Sequence, residues 1–264
     1  MAGKTIIVVK NLSTDVRDAD LQARVPAFQK QVSRDFATSG WGIDAELVFL
    51  AAKARVPAGA WLLGVFDDAD QAGALGYHDL TKTGQPLGKV FAKTTRMNRG
   101  QWTVTFSHEM LEMLADPNIN LCAFDEQARR LYAYEVCDAV EADALSYDID
   151  GTPVTDFVLP GWFEPLHATK GERFAFKTKV KGPFQLMPGG YIGYYDLAGG
   201  GWQQITASAG RKGGAGKVGR AGADVRSLRA AEQGPSDYAS RPRVGSRRER
   251  RRTPKSQWSR SDVE

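Results

Sequence analysis

The segment Ser107-His108-Glu109-Met110-Leu111-Glu112-Met113-Leu114-Ala115-Asp116-Pro117 constrains the fold of this chain more than any other. Its apolar residues recur on several sides of a helix, which marks a helix buried in a core, yet it carries three ionisable side chains between them. A buried charge is costly unless it is paired or bound to a metal. A fold that accepts this helix therefore has to supply partners for His108, Glu109 and Glu112. The helix starts near residues 98–101 and ends at Asp116, because a residue that precedes proline is pushed out of the helical region.

The spacing within the segment has a chemical reading. Residues four apart share a helix face, so the imidazole of His108 and the carboxylate of Glu112 can hold one cation. Glu109 is turned about 100° round the helix from His108, where it can reach a metal-bound water instead of the metal. The pattern follows the His-Glu-x-x-His helix of zinc hydrolases, with Glu in place of the second His. A third ligand has to come from elsewhere. Glu135, in Tyr134-Glu135-Val136-Cys137-Asp138, is the best candidate, and Asp138 could accept a hydrogen bond from the second nitrogen of His108 and fix its tautomer. The competing reading of Glu135 and Asp138 is a solvated strand end. Asp116 competes for the ligand role, supports the ligands from behind, or belongs to the turn before Pro117. His78 reads as a surface residue of an edge strand. Strand alternation turns Cys137 away from Asp138 and into the core.

A chain of 264 residues can bury a sizeable core and fits one large domain or two small ones. Thr5–Val9 is a β-branched run suited to a buried strand. Leu21, Val25, Phe28, Val32 and Phe36 then form one apolar stripe of a helix, which Pro26 kinks or begins and Gly40 and Gly42 end. Residues 45–50 and 61–66 read as strands, and 76–80 with 88–92 as a hairpin or long edge strand. The order up to the ionisable helix is β-α-β-β-β-α. Beyond it come short strands at 131–136, 147–151, 157–160 and 190–195, with a hairpin turn at Asp150-Gly151. The fold class is α+β: a mixed-sheet lobe over 1–117, a smaller irregular β-rich lobe over 118–206 that supplies the third ligand, and a tail over 207–264 expected to be disordered.

This order, with the last helix carrying His108 and Glu109 and a Glu on the following lobe, resembles the zincin metallopeptidases, and among them the gluzincin branch. The resemblance covers residues 4–140 as architecture and is residue-specific at His108, Glu109, Glu135 and Asp138. It implies a zinc-dependent peptidase in which His108, Glu112 and Glu135 bind the metal and Glu109 is the general base. His167, Tyr147 and Tyr191 are the candidates for a further donor to the oxyanion. A peptide or protein substrate would add as a strand along Gly76–Leu80. The Glu at position 112 departs from the family. The extra negative charge shifts preference towards Mn²⁺, Fe²⁺ or Ca²⁺, with zinc still the first choice. The succession His-Glu-x-x-Glu, Asp-Pro, Glu-x-x-Asp also looks like a segment of plant phosphate-induced (EXORDIUM-like) proteins and of uncharacterised bacterial and phage proteins. The alternative function is a catalytically inactive zincin-fold binding module, or a phage-associated structural one, whose carboxylates hold a structural cation.

Charge divides the chain. Residues 207–264 hold 15 Lys and Arg against 6 Asp and Glu, a net of +9, and leave the preceding 206 residues at −5, so the total of +4 describes neither part. Arginine blocks such as Arg250-Arg251-Arg252 can bind nucleic acid through phosphates, but the tail pairs few aromatic residues with them, and that partner is not favoured. No apolar stretch reaches the roughly 18 residues needed to span a bilayer, and no signal-peptide core is visible. A soluble protein, cytoplasmic or phage-associated, is expected. Cys122 and Cys137 are too few for a disulfide framework.

Overall fold

The computed structural model describes residues 4–168 and 171–208. The N-terminal β-branched run forms β1 (Thr5–Asn11), paired in parallel with β2 (Ala45–Leu50) on one side and β3 (Trp61–Phe66) on the other. A central parallel strand is covered on both faces, which is why β1 reads as a continuous apolar run. The hairpin expected next consists of β4 (Gly76–Leu80) and β5 (Pro86–Phe91), antiparallel to each other, with β5 parallel to β3. The sheet order β2-β1-β3-β5-β4 leaves β4 on an edge.

Helix α1 (Asp18–Lys30) runs through Pro26 and continues into a π-helical stretch, Gln31–Trp41. Proline neither begins the helix nor ends it here. The buried stripe of Leu21, Phe28, Val32 and Phe36 holds the helix on the sheet and outweighs the one backbone donor that Pro26 lacks. The stretch closes where Gly40 and Gly42 adopt positive φ. A short helix α2 (Ala92–Met97), too brief to show periodicity in the sequence, precedes α3 (Trp102–Ala115), the ionisable helix.

After α3 the chain turns to short antiparallel strands. β6 (Cys122–Asp125) pairs β7 (Arg130–Ala133), and β8 (Tyr147–Ile149) pairs β9 (Thr152–Val154) across a turn in which Asp150 and Gly151 have φ of +52° and +78°. β10 (Tyr191–Asp196) and β11 (Trp202–Thr206) complete a second sheet of order β11-β10-β7-β6. Two expectations fail here. The strand expected over 131–136 stops at Ala133, and residues 157–160 make only an isolated bridge, Val158 to Ala175. Hydrogen bonds from Val158 N to Val136 O and from Phe176 N to Phe157 O tie these segments together without a ladder.

The fold is α+β with a mixed sheet, and one apolar core runs from Ile7 and Phe28 through Phe106 and Met110 to Phe157 and Ile192. Cys122 is exposed and Cys137 buried, and the two are not joined in a disulfide. Among the described residues no helix is long and apolar enough to cross a membrane. The basic tail lies, from residue 209 on, outside the described residues.

Candidate metal centre

Helix α3 is fixed from its apolar side. Phe106 stacks on Phe28 with ring centroids 4.3 Å apart, and Met110, Leu111 and Met113 are fully or almost fully buried. The other side of the helix lies against β4 and β5, where Gly76 lets it approach closely. A Cβ added at Gly76 would lie 2.7 Å from Oε1 of Glu109. The helix thus brings His108, Glu109 and Glu112 into a closed interior, with their side chains 8%, 4% and 3% exposed.

Three polar atoms converge there. Nε2 of His108 lies 3.1 Å from Oε2 of Glu112 and 3.2 Å from Oδ1 of Asp138. The other oxygen of Glu112, Oε1, accepts the backbone N–H of Cys137 at 3.1 Å, which turns Oε2 towards the histidine. Asp138 opens a 3₁₀ turn, Asp138–Val140, anchored by Met187 N donating to Ala139 O. Nε2 of His108 and Oδ1 of Asp138 are buried and, though close, make no well-aligned hydrogen bond. A cation bound between them would engage both atoms, so the donor set fits a metal ion. Glu141 joins the same group: its carboxylate, His108 and Asp138 offer donor atoms within 4.8 Å of one another.

A second histidine sits beside the first cluster. His78 belongs to the edge strand β4, as expected, but it is buried at 7% exposure and not on the surface. Its Nδ1 lies 3.4 Å from Oε2 of Glu109 and 3.7 Å from Oε2 of Glu112, and its Nε2 lies 3.6 Å from Oε2 of Glu135. An edge strand leaves one face covered, and the pleat turns His78 to the face that α3 covers. Glu135, expected as the third ligand beside His108, therefore faces His78, while Asp138 occupies the place beside His108. The reason is local. β7 ends before Glu135, so strand alternation does not govern residues 135–138, and the turn carries Asp138 inward. Cys137 is buried as expected, its Sγ 3.8 Å from the His108 carbonyl.

The electrostatics reflect an excess of buried carboxylates. Burial pushes Glu112 up to about 8, with Asp138 and Glu135 adding to the rise, and burial likewise raises Glu109. Glu141 is also pushed up to about 8, by burial first and then by Asp138. Burial opposes the charged form of His108, yet the carboxylates of Glu112 and Asp138 prevail and hold it well above the usual histidine range. Protons gather in this cluster where its negative charge lacks another partner.

The remaining expected residues separate. Tyr191 lines the site, its buried hydroxyl beside Asp138, with Glu141 and Glu112 in electrostatic reach. Tyr147 donates to Asp35 at 2.9 Å and has its hydroxyl 3.2 Å from the Gln31 amide, both on the π-helical stretch, so it is engaged away from the cluster. His167 is exposed and pairs with Glu164 at 3.2 Å. Asp116 accepts the backbone N–H groups of Asn120 and Leu121 at 3.1 and 3.0 Å, which makes it part of the turn after α3. A cavity of about 60 Å³, lined by Gly76, Val104, His108, Glu109, Glu141 and Asp143 among others, reaches the cluster. That is room for a few waters at roughly 30 Å³ each. No family model, curated protein or solved structure matches this chain.

Proposed function

We propose that this protein is a metal-dependent hydrolase acting on peptide bonds, with a divalent cation held by His108, Glu112 and Asp138. The observation that carries the reading is the approach of two carboxylate oxygens to Nε2 of His108, Oε2 of Glu112 at 3.1 Å and Oδ1 of Asp138 at 3.2 Å, in a buried interior. One imidazole nitrogen and two carboxylates suit zinc first and also harder cations such as Mn²⁺. A cation bound there would lower the pKa of a water towards about 7 and polarise a carbonyl.

The chain's own residues supply the rest. Glu109 borders the cavity that admits water, and its raised pKa brings it towards the range in which a carboxylate takes and returns a proton near neutrality. The outer edge of β4 offers backbone groups to an extended peptide, and this edge is the support for a peptide substrate over a smaller acyl compound. Tyr191, with its hydroxyl kept protonated by burial, is the donor nearest the cluster for a developing oxyanion. The second reading, a binding module with a structural cation, is favoured by one observation: all the proposed donor residues are buried, with only a small opening beside them.

Metal analysis and a peptide-hydrolysis panel, run on wild type and Glu109→Gln, test both readings. Bound metal in both proteins, with hydrolysis by wild type alone, is the expected result. Metal without hydrolysis in either protein selects the binding module, and no metal in wild type removes both readings.

A further inference from the structure

We infer that the cluster holds a second divalent cation, at His78, and that Oε2 of Glu112 bridges the two ions. The inference rests on the cation proposed at His108 and extends it. A nitrogen of His78, a Glu109 oxygen and a Glu112 oxygen lie within 4.8 Å of one another, and this group shares Glu112 with a second such group, His108, Glu112 and Cys137. Oε1 of Glu112 is occupied by the Cys137 N–H. Oε2 is therefore the atom that faces both imidazoles, 3.1 Å from one and 3.7 Å from the other. Two ions sharing one carboxylate oxygen sit about 3.5–4 Å apart in two-metal sites.

Formal charge gives an independent reason. Glu109, Glu112, Glu135 and Asp138 are all buried, and an imidazole that ligates a metal is neutral. A second divalent cation would offset more of the charge that these buried carboxylates carry when ionised. Oε2 of Glu135 lies on the far side of the His78 ring, 3.6 Å from Nε2, longer than a hydrogen bond. A small approach would let it accept the Nε2–H and leave the Nδ1 lone pair directed at Glu109 and Glu112, the way carboxylates orient metal-binding histidines. Oε1 of Glu109, which faces Gly76, stays outside this set and remains free to act on water. The alternative is that only the site at His108 takes a cation.

Calorimetric titration of the full, chelator-treated chain with Mn²⁺ distinguishes these cases, with electron paramagnetic resonance on the same samples. Wild type is expected to bind two Mn²⁺ per chain and to show the spectrum of a coupled pair. His78→Ala and His78→Asn are expected to bind one and to show an isolated ion, with thermal unfolding confirming that at least one variant is folded. If both variants fail to fold, the wild-type spectrum decides alone. One Mn²⁺ in wild type, or two that show no coupling, overturns the second site and leaves the His108 site standing. No Mn²⁺ in wild type overturns both.

Discussion

Oδ1 of Asp138 lies 3.2 Å from Nε2 of His108, and neither atom has a well-aligned hydrogen bond. Asp138 is therefore the residue whose loss should be felt first at the His108 cation. Asp138→Asn is expected to weaken metal binding by at least about 10- to 100-fold, the range seen even for groups that only support ligands. Glu135→Gln should leave that first cation nearly unaffected and weaken the one at His78. Competition with a chromophoric chelator measures both.

The metal-free protein should lose stability as pH rises. Glu112 and Glu141 have folded-state pKa values of about 8 against an ordinary 4.5, so between those values the folded state binds more protons than the unfolded one. His108 acts in the same direction: its raised pKa contributes stability that is complete below pH 6.5 and is lost as pH rises through the folded value. Urea unfolding of the chelator-treated protein should therefore give a midpoint that falls from about pH 5 to pH 8. Added Zn²⁺ or Mn²⁺ should flatten or reverse that trend, because the metal takes the place of the protons.

Gly76 has no room for a side chain. Its added Cβ would meet Oε1 of Glu109 at 2.7 Å and the backbone oxygen of Lys89 at 2.9 Å, and the second of these cannot swing aside. Gly76→Ala is expected to cost about 1–3 kcal/mol, the usual range for overpacking, and to displace Glu109. Chemical denaturation reads the first effect. A fall in peptide hydrolysis larger than the fall in folded fraction reads the second.

Phe106 anchors the back of α3 and is fully buried against Phe28. Phe106→Ala should destabilise the protein by about 3–5 kcal/mol, the range for a buried aromatic truncated to alanine. Equilibrium denaturation measures it. A loss under about 1 kcal/mol would mean that the helix is held mainly from its polar side.

Sequence pattern revealed the parts of this molecule that depend on local periodicity. The stripe Leu21, Phe28, Val32 and Phe36, the β-branched run of β1 and the stop at Pro117 each show a repeat or a steric rule that acts within a few residues. The i,i+4 pair of His108 and Glu112 was legible for the same reason. What the sequence concealed depends on contacts between distant segments. His78 is one of two buried histidines at the cluster, yet its strand carries no sign of which face is covered, because that is settled by α3 closing over Gly76. Asp138 was expected beside His108, but that Glu135 faces His78 instead was hidden, since β7 ends at Ala133, three residues before the expected strand end. The available cue was Gly76 beside His78, a residue without a side chain next to an ionisable one.

Anomalous diffraction from crystals grown with Zn²⁺ or Mn²⁺ reads out the proposed divalent cation between His108, Glu112 and Asp138. The expected result is an anomalous peak at metal–ligand distance, about 2.0–2.2 Å for zinc, from Nε2 of His108, Oε2 of Glu112 and Oδ1 of Asp138. A cluster without a peak in crystals that carry the metal elsewhere, with Nε2 of His108 still facing Asp138, would contradict it.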